Sequence, residues 1–229
     1  MNYYMDQACR TLIAQPSDRF DVMPDYDMEA VRRLWETGAA DYDSRLGDEL
    51  ATKPFERSLL DEAGRAMRGR GPVIDVGCGP AQVARYLAGR GVRTVGVDLA
   101  KEMLVAARHR AAELPLVLGD ALALPFANGS CGGVVAFYSL HNLPRQLLPL
   151  ALSEMKRVVR TRGSLLIATH GGTGETFYPD LGVVATYYSG DELSALLSDQ
   201  GFDVDWIRDR PPHADEHQAT KLFVLAHSK

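Results

Sequence analysis

The apolar positions along the chain change rhythm near Gly71. Before it they recur at helical spacing: Phe55, Leu59, Ala63 and Met67 stand four apart on one face, with Pro54 suited to the first turn. Ahead of them lie another helix-like stretch and an irregular acidic leader, PSDRFDVMPDYDMEA. Residues 1–70 are expected to form a helical cover or lid belonging to the same domain as residues 71–229. From Pro72 onward the pattern becomes short β-branched runs, PVIDV, VRTVGVD, LPLVLGD, GGVVAFYS and SLLIATH, separated by helical or turn-rich stretches. That alternation predicts an α/β fold with a mostly parallel sheet and right-handed crossovers. A helix is expected from about Pro144 to Arg160, burying Leu148, Ala151, Met155 and Val159. Another opens at Ser189, where Glu192 completes a capping box, and closes before Gly201. Runs around Val204 to Arg208 and Leu222 to Ala226 lack a long helix between them, so they are expected to pair as an antiparallel hairpin at the sheet edge, bringing the strands to seven.

Composition narrows the functional classes. A chain of 229 residues suffices for one sizeable α/β domain, and 46% hydrophobic with 24% charged residues suits a soluble globular protein. The net charge of −5, from 25 basic and 30 acidic residues, offers no overall positive field for a phosphate backbone, so no nucleic-acid partner is expected. Cys9, Cys78 and Cys131 cannot all pair and lack doubled CxxC spacing, which reads as thiols in a reducing compartment and no metal. The first residues, MNYYMDQACR, lack the basic and then apolar order of a signal peptide. The uncharged run from Ala121 to Pro144 is broken by Pro125, Asn128, Gly129, Gly132 and Gly133. A cytoplasmic location without membrane contact is therefore expected.

Candidate chemistry concentrates where strands end. In VIDVGCGPAQ an apolar strand runs into Gly77, Cys78 and Gly79 and then a helix, so the turn can approach a ligand closely and free N–H groups follow it. A dinucleotide fingerprint would need glycine where Gln82 stands, and Asp75 would repel pyrophosphate while welcoming a cationic ammonium or sulfonium. In VGVDL, Asp98 ends the next strand, where it can accept both ribose hydroxyls of an adenosine; that alone fits nicotinamide and methyl-donor enzymes equally. Asp120, in LGDA, ends the third strand, within reach of adenine's exocyclic amine. Each acid alone could be a helix cap or a solvated loop residue. Three at successive strand ends make that reading poor.

These segments resemble the class I S-adenosylmethionine-dependent methyltransferases, and among them the small ubiquinone/menaquinone-biosynthesis-like enzymes of bacterial specialised metabolism. The resemblance runs from about Trp35 to the C-terminus and rests on VIDVGCGPAQVARYLAGRG, VGVDLAKEML, GDALALPFANGSCGGVVAFYSLHNLP and RVVRTRGSLLIATH. It implies a Rossmann-like fold and S-adenosylmethionine as cofactor, with S-adenosylhomocysteine as product. Position by position it places Asp75, Gly77 and Gly79 at the methionine moiety, with Cys78 among the cofactor-binding residues, Asp98 at the ribose, Leu99 and Met103 around the adenine, and Asp120 and Ala121 at its edge. Phe137 would lie under the donor, and Tyr42 would approach its carboxylate end. The usual third glycine of the turn is Ala81, and the family's common PGG before strand five is Thr161-Arg162-Gly163, a surface turn.

On the acceptor side, His141 and His170 follow strands four and five, where ligands of open α/β sheets gather. A histidine at either place could equally hydrogen-bond a loop backbone. His170 is the candidate general base; His141 is expected to shape the pocket, with Asn142 capping the following helix. The stretch GGTGETFYPDLGVVATYY has the composition of a flap over an apolar substrate, or of an aromatic edge packed on the cover. His213, Glu216 and His217 read as a surface turn rather than a metal site, with Arg210 and Glu216 near the acceptor mouth by the same resemblance. The expected function is methyl transfer to oxygen or nitrogen of a small organic acceptor, by a monomer or homodimer. Its alternatives are a ribosomal or transfer RNA methyltransferase, and a donor-binding scaffold or non-methylating enzyme on the same fold.

Overall fold

A computed structural model describes residues 27–229; Cys9 and the part of the acidic leader before Asp27 lie outside them. Helix α1 (Met28–Leu46) starts where the Asp27 carboxylate accepts the Glu29 N–H at 2.9 Å, and a 3-10 turn (Glu49–Thr52) leads into α2 (Pro54–Met67), with proline in its first turn. The strands are β1 (Val73–Val76), β2 (Thr94–Asp98), β3 (Leu116–Leu118), β4 (Cys131–Phe137) and β5 (Val159–Gly171), followed by β6 (Glu175–Tyr178), β7 (Val183–Thr186), β8 (Phe202–Arg210) and β9 (Thr220–Ser228). Between them run α3 (Gln82–Ala88), α4 (Lys101–Arg110), α5 (Leu148–Val158) and α6 (Gly190–Asp199).

Seven strands form one sheet in the order β3-β2-β1-β4-β5-β9-β8, parallel from β3 to β5 and antiparallel beyond, the Rossmann-like arrangement. The C-terminal hairpin is present as expected, and β9 inserts beside β5 so that β8 takes the edge. Side chains alternate across the central strands. Ile74, Val134, Leu165 and Val224 face Leu152, Met155, Leu193 and Leu197 of α5 and α6. Val73, Val135, Leu166 and Phe223 face Leu59, Leu60 and Met67 of α2 and Leu87 of α3.

Local departures have local causes. The helix expected from Pro144 to Arg160 is split: Arg145–Leu147 is a 3-10 turn, α5 begins at Leu148 with no side-chain cap, and Val159 turns extended to pair with Cys131. Asn142 is therefore not the cap of α5 and sits in the 3-10 turn Leu140–Asn142. Thr161-Arg162-Gly163 lies within β5, where the register slips between Cys131 and Gly133 and Arg162 takes φ 59°. At Ser189 the capping box forms, the hydroxyl accepting the Glu192 N–H at 3.1 Å. The glycine-rich stretch after β5 becomes a β6–β7 hairpin whose Tyr178, Val183 and Ala185 pack on Val31, Leu34 and Trp35 of α1, which realises the packed-edge reading. Among the described residues no helix is long and apolar enough to cross a membrane.

Candidate active site

The carboxyl ends of β1, β2, β4 and β5 open together beneath α1, and the turn after β1 is tied down first. The N–H groups of Gly77 and Cys78 donate to the Val97 carbonyl at 2.8 and 2.9 Å, binding the turn to β2. Gly77 (φ +70°) admits no side chain, because a Cβ there would stand 2.3 Å from Ser139 Cβ. Gly79 (φ +52°) donates its N–H to Asp98 Oδ2 at 2.8 Å, while Ala100 N donates to Oδ1 at 2.9 Å. Burial pushes the Asp98 carboxyl up to about 6, against the pull of those N–H groups. Asp120 lies two residues beyond β3, its Oδ1 accepting the Leu122 N–H at 2.8 Å. Gly77, Gly79, Asp98 and Asp120 border a cleft of about 760 Å³, open solvent at its mouth included.

Of the eleven residues expected around the cofactor, eight line that cleft: Tyr42, Gly77, Gly79, Asp98, Leu99, Met103, Asp120 and Ala121. Three do not. Asp75 shares the face of Val73, and its Oδ2 accepts the Ala84 N–H at 3.0 Å, so the carboxyl holds the first turn of α3. Burial, with the Asp98 charge adding, raises it to about 7. The Cys78 thiol lies against β2, where a Cβ on Gly96 would stand 2.9 Å from its Sγ; burial raises it well above the usual thiol range. Phe137 shares the face of Val135 in β4, packs edge-on to Tyr138 and tilted to Phe223, and so lines a second cavity.

Sequence reasoning missed Tyr138. It occupies φ 54°, is anchored by its N–H to the Ala168 carbonyl at 2.8 Å, and borders both cavities. Its hydroxyl is buried with no hydrogen-bond partner among the described residues, as is Ser139 Oγ beside it. Trp35, edge-on to Tyr42 at 5.6 Å, also borders both cavities. Only the position of Tyr138 directly after β4 signals its role.

The second cavity encloses about 880 Å³ and brings both candidate histidines together. The His141 and His170 rings lie 4.8 Å apart, and the His217 ring is 4.9 Å from His170 on its other side. Burial lowers His141 to about 3 and His170 far below the ordinary imidazole range, with neighbouring basic groups adding, so both rings are neutral near pH 7. Lys221 stands directly across from His170 in the β5–β9 register. The turn between β8 and β9 keeps His213, Ala214 and Asp215 at the surface, as expected, but turns Glu216 inward. Glu216 is buried, bonded to Lys53 and, at 2.7 Å, to Arg210, while His217 Nε2 lies 3.2 Å from the Tyr187 hydroxyl. Burial pushes Glu216 up, but the hydrogen bonds from Arg210 and Lys53 outweigh it and hold its carboxyl well below the usual range. The reason is long-range: Lys53 and Glu56 come from the cover, far from the turn in sequence. Among the described residues no three His, Cys, Asp or Glu side chains are grouped to hold a metal ion.

A glycine turn after a central strand, an acid closing the next strand and a cleft between them are the arrangement in which Rossmann-like folds hold nucleosides. Residues 74–167 match the family model described as methyltransferase domain. The chain is 31% identical to the ubiquinone/menaquinone biosynthesis C-methyltransferase UbiE of Paracoccus denitrificans over 68% of this chain and 56% of that one. It is 31% identical to the demethylmenaquinone methyltransferase of Renibacterium salmoninarum over 63% and 57%. The matched stretch thus spans little more than half the length of these relatives. A solved structure of Burkholderia thailandensis 1,6-didemethyltoxoflavin-N1-methyltransferase, with 1,6-didemethyltoxoflavin and S-adenosylhomocysteine bound, shares the fold. Its TM-score is 0.71 over 93% of this chain and 94% of that one, at 19% identity. The matched stretch is similar to class I S-adenosylmethionine-dependent methyltransferases of the ubiquinone/menaquinone-like group.

Proposed function

We propose that the protein transfers a methyl group from S-adenosylmethionine to an oxygen or nitrogen of a small organic acceptor, in bacterial specialised metabolism and in the cytoplasm. The observation that carries the reading is the pair of adjoining cavities with Tyr42 and Tyr138 in both walls, one bordered by the glycine turn, Asp98 and Asp120, the other by His141 and His170. The first suits the donor. Gly77 and Gly79 leave room that a Cβ would take, and the Asp98 carboxylate keeps lone pairs for two hydroxyls beyond its bonds to Gly79 and Ala100. The bound donor supplies an electrophilic methyl group on a sulfonium.

The protein's own residues do the rest. Asp98 and Asp120 fix the nucleoside, and the shared wall sets the approach of the acceptor, an orientation effect that can reach about 7 to 11 kcal/mol. His170 removes the acceptor's proton as a neutral imidazole, and His141, packed edge-on against it, holds the ring in place. Helix α1, whose Met28, Val31, Trp35 and Tyr42 border the first cavity, serves as the lid over the core, with the β6–β7 hairpin packed against it.

The test is incubation of the purified protein with cell extract and methyl-labelled donor. Label in material below about 1 kDa, attached to oxygen or nitrogen, supports the proposal. Label on a ring carbon, the acceptor atom class that the Paracoccus relative's name prints, overturns the choice of atom. Label in RNA, or donor binding with no transfer, overturns the reading itself.

A further inference from the structure

His170 and Lys221 are directly opposed on antiparallel neighbours, so their side chains leave the same face of the sheet into the second cavity. Lys221 Nζ lies 3.5 Å from His170 Nδ1 and donates to the His217 carbonyl at 3.0 Å. The lysine is 3% exposed, and no carboxylate among the described residues forms an ion pair with it, because Glu216 is taken by Lys53 and Arg210. An ammonium has only donors, whereas a neutral imidazole carries one donor and one acceptor. The nitrogen facing a charged lysine must therefore accept. We propose that Lys221 sets which nitrogen of His170 carries the proton, and that the pair acts as one base, taking the acceptor's proton at Nε2 and leaving the positive charge on Nζ.

The consequence follows from the tautomers. While Lys221 is charged, Nδ1 accepts and the proton sits on Nε2, so the nitrogen left for the acceptor is a donor and cannot act as a base. When Lys221 is neutral, its lone pair accepts from Nδ1–H and Nε2 is bare. Reaction then breaks the acceptor's O–H or N–H bond and forms Nε2–H, while Nδ1–H breaks and Nζ–H forms. The bonding pair stays on the acceptor atom, and lysine ends as ammonium. Lys221 is a positioning residue, since only His170 meets the acceptor.

The surroundings tune the pair from every side. Burial lowers Lys221 to about 8; Glu216 opposes that, Arg210 and Lys53 add to it, and Glu49 opposes it from the cover. The Tyr138 ring lies 5.8 Å from Nζ. His170 itself faces His141, His217 and, at 6.3 Å, Tyr187, and its burial keeps it from becoming imidazolium. The acid limb of the reaction should thus follow the lysine and not an imidazole near 6.5.

This inference rests on His170 being the base, and it is tested without the acceptor. Protein with ¹⁵N-labelled imidazoles is followed by long-range ¹H–¹⁵N correlation from pH 6 to 10, His170 being assigned from its loss in His170→Gln. The bare nitrogen should pass from Nδ1 to Nε2 with a midpoint near 8, the minor form falling to about one part in a hundred at either end. In Lys221→Arg the proton should stay on Nε2 throughout, and in Lys221→Met the tautomer should be independent of pH. A wild-type tautomer unchanged across this range, or a switch persisting in Lys221→Arg, overturns the proposal; if either variant fails to fold, the wild-type titration still decides. Label transfer with extract separates the two levels. His170→Ala as fast as wild type removes the base assignment whatever the tautomer does. Slow His170→Ala with an unaltered pH profile in Lys221→Met removes only the lysine.

Discussion

Asp75→Asn should stabilise the donor-free protein at alkaline pH and lose that advantage in acid. The wild-type carboxyl is 1% exposed, accepts one N–H from Ala84, and is raised by burial to about 7. In the unfolded chain it titrates near 3.9, so the native state binds the proton more tightly and stability falls as pH rises between the two values. A gap of about 3 units at 1.36 kcal/mol each comes to roughly 4 kcal/mol lost by pH 8 and almost nothing lost at pH 4. Asparagine keeps an oxygen for Ala84 and has no charge to bury. Its NH₂ group, if unsatisfied, costs about 1 to 3 kcal/mol, but equally at every pH. The diagnostic is therefore the change of the difference with pH and not its size at one pH. Urea unfolding of both proteins, followed by the fluorescence of Trp35 and Trp206, should show the asparagine variant gaining on wild type by about 1.4 kcal/mol per pH unit between pH 4 and 7 and levelling off above. A difference that stays constant from pH 4 to 8, or one that moves the other way, refutes the reasoning.

Glu216→Gln should behave with the opposite sign: the folded carboxyl is held below its ordinary value, so its contribution is present above about 4.3 and is lost as pH falls further. At pH 7 the variant should be about 3 kcal/mol less stable in urea melts because Lys53 and Arg210 lose a buried partner, and the deficit should narrow toward pH 3. Gly77→Ala should lose donor binding in calorimetric titration, since its Cβ would meet Ser139 Cβ at 2.3 Å, whereas Gly91→Ala, at φ +75° with nothing within 4 Å, should cost only backbone strain of about 1 kcal/mol and bind normally.

What the sequence carried and what it did not divide by range of contact. The glycine turn and Asp98 are legible because a parallel strand's end, a tight turn and a helix start lie within a few residues of one another, so chemistry is written locally. Asp75 and Phe137 fall outside the lining of the first cavity because a motif names positions, whereas the two-residue alternation of β1 and β4 decides which face each side chain takes. Lys221 was invisible as a site residue, and His217 read only as part of a surface turn. Nothing near them in sequence says that β9 inserts beside β5, and only that pairing sets Lys221 opposite His170. Glu216 likewise reads as a turn residue until the cover delivers Lys53 to it.

The proposed methyl transfer requires that the cleft bordered by the glycine turn and Asp98 hold the adenosine of the methyl donor. Its most direct test is calorimetric titration of S-adenosylmethionine into wild type and Asp98→Ala, with thermal melting of both donor-free proteins alongside. In the donor-free protein the removed burial cost of the carboxylate opposes the two backbone bonds it loses, so melting should move little. In the complex, charge-assisted bonds worth about 1.5 to 3 kcal/mol disappear, and the dissociation constant should rise roughly 10- to 100-fold. Equal dissociation constants in the two proteins would contradict the claim.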